Sequence, residues 1–260
     1  MNKNSNYKGI ILAGGAGTRL HPLTKVISKQ LLPVYNRPMI FYPLSTLIKA
    51  NIKEIMIITT PEDNISFKRL LGDGSQWGVS IEYAIQDKPE GIAQSLIIAD
   101  SWLDNNSVVL ILGDNLFFGP KLSNILEEAI INNDGSTVFA YKVDDPERYG
   151  VIEVDKELNI LSIEEKPEIP KSNWIITGMY IYDNNSVDYA RNLRKSGRGE
   201  YEITDLNKLY LEKKKLKPIF LDETFSWLDT GTFDTLLDAS TFVKEIESKS
   251  DTKVVDLIIT

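Results

Sequence analysis

Apolar runs of strand length alternate with longer amphipathic stretches along the first half of the chain. Tyr7 to Ala13 (YKGIILA), Glu54 to Thr60 (EIMIITT), Ser80 to Gln86 (SIEYAIQ), Ser107 to Gly113 (SVVLILG) and Thr137 to Val143 (TVFAYKV) read as strands. Continuous Ile, Val and Leu suits strands covered on both faces. Between them, Met39 to Ala50, Ile65 to Leu71, Gly91 to Trp102 and Lys121 to Ile131 carry helical patterns. This alternation predicts an α/β protein with an open, largely parallel sheet. After Asp145 the pattern shifts to shorter alternating strands (YGVIEV, ILSIEE, ITGMYIY). Helices are predicted near Val187 to Arg194 and Thr204 to Lys214, and a last one from about Thr232 to Ile246. No repeat, low-complexity segment or clear linker interrupts the chain, so one α/β domain with a substrate-covering second half is the simplest reading.

Composition narrows the function classes. At 260 residues, 42% hydrophobic and 25% charged, the chain can bury a sizeable core. The net charge of −8, with no long Lys/Arg block, makes nucleic acid and anionic membranes poor partners. It says little about small anions, because a site can be locally basic. The chain has no cysteine, which removes disulfides, thiolate metal sites and cysteine nucleophiles together. His21 is the single histidine, so multi-histidine metal sites are excluded as well. The opening Met-Asn-Lys-Asn-Ser-Asn carries no apolar signal region and no run approaches a membrane span. The expectation is a soluble, cytoplasmic protein.

The first strand ends in Leu12-Ala13-Gly14-Gly15-Ala16-Gly17-Thr18-Arg19-Leu20. Glycines after a parallel strand let backbone N–H groups approach a phosphate, and ligands of such sheets sit at strand carboxyl ends. A tight turn alone would use the same residues. The Gly-Lys-Ser/Thr of a P-loop is absent. A dinucleotide fingerprint fails too: about 20 residues on, where it requires an acid, stand Val34 and Tyr35 in a Pro-bounded segment. Arg19 and Lys29 flank a Pro-containing loop. Cations there suit a triphosphate whose β,γ portion departs as pyrophosphate, although solvated surface charge is the commoner fate of Lys and Arg.

Leu110-Ile111-Leu112-Gly113-Asp114-Asn115 is a buried strand ending in an acid, a position that can hold Mg²⁺ over the first loop. Trp227-Leu228-Asp229-Thr230-Gly231-Thr232 supplies a second acid just before a helix. The alternatives are a turn residue at Asp114 and a helix cap at Asp229. Farther on, Asp145-Pro146-Glu147-Arg148-Tyr149-Gly150-Val151 precedes a strand, and Glu164-Glu165-Lys166-Pro167 ends the next. Glu165 and Lys166 pair a hydroxyl acceptor with a phosphate cation, as a sugar phosphate needs, or form an exposed charged turn. Gly178, after Ile176 and Thr177, allows close backbone approach. His21 is not needed as a base, because a phosphate oxygen is already anionic near neutral pH.

GGAGTRLHPLT followed by SKQLLPVYNRPMIFYPLSTL resembles the signature of the sugar nucleotidyltransferases, most closely its glucose-1-phosphate thymidylyltransferase branch. LGDN, DPERYGV, EEKP and WLDTGT fall at matching places, and the match runs from about Lys8 to about Ile246. The resemblance implies a Rossmann-like three-layer α/β/α fold with a mostly parallel central sheet and a smaller, β-rich sugar-binding part. It implies one domain over 1–247, with a nucleotide-binding half about 7–143 and a sugar-binding part about 144–231, then a tail at 248–260. It also implies transfer of a thymidylyl group from dTTP to glucose 1-phosphate, with Mg²⁺ as cofactor. The products are dTDP-glucose and pyrophosphate, a first step toward dTDP-rhamnose or related deoxysugars.

Residue by residue, the resemblance gives Mg²⁺ to Asp114 and Asp229. It gives the nucleotide to Leu12, Gly14, Gly15, Gly17, Thr18, Arg19, Gln86, Gly91 and Asp114. Glu165 takes sugar hydroxyls, Lys166 holds the sugar phosphate, and Tyr149, Gly150, Ile176 and Thr177 line the sugar pocket. Arg19, Lys29 and Lys166 join the two aspartates in catalysis. Relatives are usually homotetramers, so an oligomer is expected. The closing SKSDTKVVDLIIT cannot supply the further helices that build a regulatory nucleotide site in long members, so the resemblance does not carry feedback inhibition over to this chain. VVDLII reads as a short strand on a neighbour or a frayed end.

Three rivals remain. Uridylyl transfer is near, because one methyl group discriminates by only about 1–3 kcal/mol. A non-catalytic regulatory protein that binds sugar nucleotides has little need of two metal carboxylates. A nicotinamide-dependent oxidoreductase lacks its acid after the second strand.

Overall fold

Strand β1 (Tyr7–Ala13) buries Ile10, Ile11 and Ala13 completely, and the rest of the chain is organised around such runs. The computed structural model describes residues 7–15, 17–249 and 253–257; Ala16 lies outside them. In chain order the elements are β1, β2 (Pro33–Val34), β3 (Arg37–Pro38), α1 (Phe41–Lys49), β4 (Glu54–Thr59), α2 (Asn64–Leu71) and β5 (Ser80–Ile85). Then come α3 (Gln94–Ile98), α4 (Asp100–Leu103), β6 (Ser107–Leu112), β7 (Asn115–Phe118), α5 (Leu122–Asn132), β8 (Ser136–Lys142), β9 (Gly150–Val154) and β10 (Ile160–Glu165). The chain continues through β11 (Trp174–Tyr182), α6 (Ser186–Arg191), α7 (Ile203–Glu212), β12 (Leu216–Phe220), β13 (Ser226–Asp229) and α8 (Phe233–Lys249).

The chain divides into two units. The first comprises Glu90–Leu110 and Glu128–Thr224 with residue 7; the second comprises Lys8–Pro89, Ile111–Glu127 and the segment from Phe225 onward.

In the second unit β1, β4 and β5 form a parallel ladder, with Ile10 opposite Met56 and Ile57 opposite Tyr83. The core strand β4 (EIMIIT) is buried at every position but its first, whereas β5 alternates toward solvent, as a covered strand and an edge should. Helix α1 sets Phe41, Leu44 and Leu47 into the core, and Pro43 is tolerated because it lies in the first turn. A Cβ on Gly9 would meet Leu47 at 2.9 Å, so glycine there permits close helix–strand packing. β7 and β13 form a separate antiparallel pair.

The first unit is largely antiparallel. β11 pairs with β8 and β9, β9 pairs with β10, and β12 runs parallel to β8. β11 (WIITGMYIY) is buried from its second residue to its last. Tyr182 donates to Asn207 Oδ1 at 2.7 Å and stacks between Tyr180 and Tyr210, so this inner phenol is both packed and hydrogen-bonded.

Three departures from the sequence reading have physical causes. The helix expected from Gly91 to Trp102 starts only at Gln94 and breaks at Ala99. Gly91 has φ +102°, outside the helical region, and α3 and α4 meet at Ala99. β12, which contains Pro218, was not anticipated; the strand borders only β8 among the described strands, and a proline's missing donor is tolerated at an edge. The tail is not frayed over 253–257. Val255 and Leu257 are buried, the Val254 N–H donates to Glu247 Oε1 at 3.1 Å, and its carbonyl accepts from Lys49 Nζ at 3.3 Å. The end of VVDLII, at 258–259, lies outside the described residues.

Candidate active site

In the second unit the chain leaves β1 at Ala13 and turns through the glycines. The Gly113 N–H donates to the Leu12 carbonyl at 2.9 Å, bringing the end of β6 beside the end of β1. A Cβ on Gly113 would lie 3.1 Å from that carbonyl oxygen, so only glycine allows the approach without displacement. A Cβ on Gly14 would lie 2.4 Å from Gln86 Oε1; the buried Gln86 thus covers Gly14. Nothing stands within 4 Å of a Cβ at Gly15, which leaves that backbone open to a ligand.

Gly17 is left-handed at φ +59°, and its carbonyl accepts from the Thr24 hydroxyl at 2.7 Å. His21 Nδ1 lies 2.9 Å from the same hydroxyl, so the single histidine braces the loop. Thr18 opens a 3-10 turn, Thr18–Leu20, that carries Arg19 outward while Leu20 is buried.

Lys29 is buried, and its ammonium donates to Asp114 Oδ2. Desolvation alone would raise the Asp114 carboxyl; the Lys29 charge and hydrogen bonds from Lys29 and Asn115 outweigh it and hold Asp114 below the usual carboxylate range. Lys29 is therefore no solvated surface charge. Asn115 Nδ2 donates to Asp114 Oδ1 at 3.1 Å, and Trp227 Nε1 donates to Asn115 Oδ1 at 2.7 Å, which orients the amide. The β7–β13 ladder sets Asp229 opposite Asn115, and the Thr230 hydroxyl donates to the Asp114 carbonyl at 2.9 Å. Asp114 and Asp229 are thus brought to neighbouring strand ends. Asp229 is not the cap of α8: Thr232 caps it, accepting from the Thr235 N–H at 3.3 Å while its own N–H donates to Thr235 Oγ1 at 3.0 Å. Asn115, Trp227, Thr230 and Gly231 were missed as supports, although LGDN and WLDTGT contain them.

The first unit gathers the expected sugar residues around Gly150. The sheet register sets Glu165 opposite Gly150 on one side and Ile176 on the other. The Lys166 N–H donates to the Tyr149 carbonyl at 2.9 Å. Lys166 is left-handed at φ +45°, a strained state for a lysine that places its side chain beyond the strand end. A Cβ on Gly150 would lie 3.0 Å from Thr204 Oγ1 and 3.6 Å from Glu165 Oε2, so glycine leaves room where those side chains meet. The Thr204 hydroxyl donates to Glu165 Oε2, and Arg198 Nη2 donates to Glu165 Oε1 at 3.1 Å. Arg198 and Thr204 were not anticipated: Thr204 opens a segment read only for its helix, and Arg198 lies in the stretch between the two helices predicted there. Thr177 is buried and its hydroxyl donates to the Phe139 carbonyl at 2.9 Å, which turns it into the sheet. Gly91 belongs to this unit and not to that of Gln86; a Cβ on it would strike Tyr201 O at 2.4 Å.

The family model described as Nucleotidyl transferase matches residues 8–246. A glucose-1-phosphate thymidylyltransferase of Neisseria meningitidis is 54% identical over 241 residues, covering 93% of this chain and 84% of the relative. One from Mycolicibacterium smegmatis is 53% identical over 247 residues, covering 95% and 85%. A solved Bacillus anthracis chain, assigned as a glucose-1-phosphate thymidylyltransferase, superposes with a TM-score of 0.84 at 42% identity, over 91% of this chain and 94% of that one. A UDP-glucose pyrophosphorylase superposes with a TM-score of 0.82 at 21% identity, which speaks for the fold alone. The fold is α/β, with a mostly parallel central sheet flanked by helices, as the resemblance implied. With two thirds of its length and more shared with such relatives, this chain belongs to the nucleotidyl transferase family of enzymes, among the glucose-1-phosphate thymidylyltransferases.

Proposed function

We propose that the chain transfers a thymidylyl group from dTTP to glucose 1-phosphate, giving dTDP-glucose and pyrophosphate. The observation that carries this is the pairing of β7 with β13, which joins Asp114 and Asp229 beside a glycine loop with an open backbone at Gly15. The residues fit a hard divalent cation: both donors are carboxylates, and the Asp114 carboxylate already carries a cation, Lys29. Among the described residues no set of three or more acidic or histidine ligands gathers. Magnesium needs only one or two carboxylates when phosphate oxygens and waters complete its shell. When bound, it supplies charge neutralisation at the phosphates.

The chain's own residues supply position and charge. Backbone N–H groups of Gly14, Gly15 and Gly17 would cradle the triphosphate, with Thr18 at the head of the following turn, and Leu12 and Gln86 would flank the base. Gly91 would contact the base. Arg19 and Lys29 would stabilise the departing pyrophosphate. Glu165 would accept sugar hydroxyls beside Tyr149, Gly150, Ile176 and Thr177, and Lys166 would hold the sugar phosphate oxygen that attacks the α-phosphorus in line. No proton need be removed, because that oxygen is anionic.

We place the enzyme in the cytoplasm as a homo-oligomer, the tetramer being favoured by resemblance. Support for the first is the lack of cysteine and of any described helix long and apolar enough to cross a membrane.

The test is pyrophosphate release with Mg²⁺ and glucose 1-phosphate, run in parallel with dTTP, UTP, CTP, ATP and GTP. The fastest release is expected with dTTP. Faster release with UTP would replace thymidylyl by uridylyl transfer, and no release from folded protein would mean another sugar phosphate or a protein that only binds, which a nucleotide-binding titration separates.

A further inference from the structure

Glu202 lies at the start of α7, only 6% exposed, yet its side chain makes no capping bond to that helix. Both oxygens turn instead to one guanidinium. Oε1 accepts from Arg198 Nε at 3.2 Å and Oε2 accepts from Arg198 Nη2 at 2.8 Å. Ser196 Oγ donates to Oε1 at 2.6 Å. This is the two-point grip by which a carboxylate fixes an arginine in angle as well as distance. Arg198 Nη2 also reaches Glu165 Oε1 at 3.1 Å, and the other Glu165 oxygen accepts from Thr204. A continuous chain of charge-assisted hydrogen bonds therefore runs from Ser196 through Glu202 and Arg198 to Glu165. Lys166 Nζ stands 3.8 Å from the same Glu165 oxygen, beyond hydrogen-bond reach.

We infer that Glu202 is a positioning residue for the sugar phosphate: it fixes Arg198, and Arg198 holds the Glu165 carboxylate in the rotamer that receives sugar hydroxyls. The inference rests on Glu165 having that role. A buried carboxylate is costly unless its charge is matched, and here Arg198 matches it, so the pair is held tightly. Arg198 is a long side chain, 40% exposed, that would otherwise sample many rotamers. Anchoring it to a buried acceptor removes that freedom before the substrate arrives, which preorganises the next group in the chain.

The test is steady-state kinetics on the full chain for wild type, Glu202→Gln, Arg198→Gln and the double variant, with thermal denaturation to confirm folding. Glu202→Gln should raise KM for glucose 1-phosphate by about tenfold, the scale of one lost ionic contact, and leave KM for dTTP within about twofold. The double variant should be no worse than Arg198→Gln alone, because Glu202 acts through Arg198. A folded Glu202→Gln with an unchanged sugar KM, or additive effects in the double variant, would overturn the inference. Should Glu202→Gln fail to fold, Ser196→Ala removes only the bond onto Oε1. A selective rise in sugar KM is then expected, and no change overturns the inference. Wild-type turnover is the control for the function itself: if it runs only with another sugar phosphate, that reading falls, and the same four proteins are compared with the substrate it does use.

Discussion

The Arg19 guanidinium lies against the bare backbone of Gly231: a Cβ there would be 2.7 Å from Nη2 and 3.0 Å from Cζ. The glycine of WLDTGT therefore serves an arginine more than two hundred positions earlier in the chain. Gly231→Ala should push Arg19 aside at little cost in stability, within about 1 kcal/mol, because the far end of a flexible side chain can yield. Turnover should fall by up to about 10²-fold, the scale of one displaced electrostatic contact. Kinetics beside a melting curve separates the two effects, and an unchanged rate would remove Arg19 from the catalytic set.

Lys29 and Asp114 are a largely buried pair, with side chains 8% and 18% exposed. Lys29→Met leaves the carboxylate without its cation and should cost about 3–5 kcal/mol in urea denaturation. Adding Asp114→Asn should recover part of that loss, because the uncompensated charge is gone. Magnesium should stabilise Lys29→Met more than wild type, since in the variant it no longer competes with an ammonium for Asp114. Equal stabilisation of both would argue against Asp114 as a ligand.

Two glycines separate structural from functional need. Gly91 combines φ +102° with a Cβ position 2.4 Å from the Tyr201 carbonyl oxygen, which is backbone and cannot turn away. Gly91→Ala should lower stability by about 2–4 kcal/mol. Gly15 has nothing within 4 Å of its Cβ position. Gly15→Ala should melt with wild type and bind dTTP more weakly, as measured by titration. Unweakened dTTP binding would mean the phosphates do not approach there.

Lys166 holds a left-handed backbone at φ +45°. Lys166→Ala should lose about 10²- to 10³-fold in turnover with the fold intact. Lys166→Gly should lose as much activity and yet be about 1 kcal/mol more stable than the alanine variant, because glycine adopts that conformation freely. Near-normal turnover in either variant would end the assignment of the sugar phosphate to Lys166.

The strands β1, β4 and β6 were legible because continuous apolar runs have few other uses, and the helices because their apolar spacing is regular. Short strands were not. NLFF and SWLD become β7 and β13 only because each finds the other across more than one hundred positions, and neither run is long enough to announce itself. The same pairing bears on the proposed metal residues: LGDN and WLDTGT each offered an acid with a bland alternative, and it is the ladder that makes Asp114 and Asp229 neighbours.

By itself, then, the sequence determined the α/β class, the glycine loop after β1, and the residue types from which the proposed phosphate, sugar and metal sites are built, since these depend on local periodicity and side-chain chemistry. The tertiary structure alone decided which of those residues meet. It seated Lys29 on Asp114, turned Thr177 into the sheet, put Gly91 in a different unit from Gln86, and linked Glu202 through Arg198 to Glu165. Contacts between residues far apart in the chain follow from sheet register and packing, and no local pattern records them.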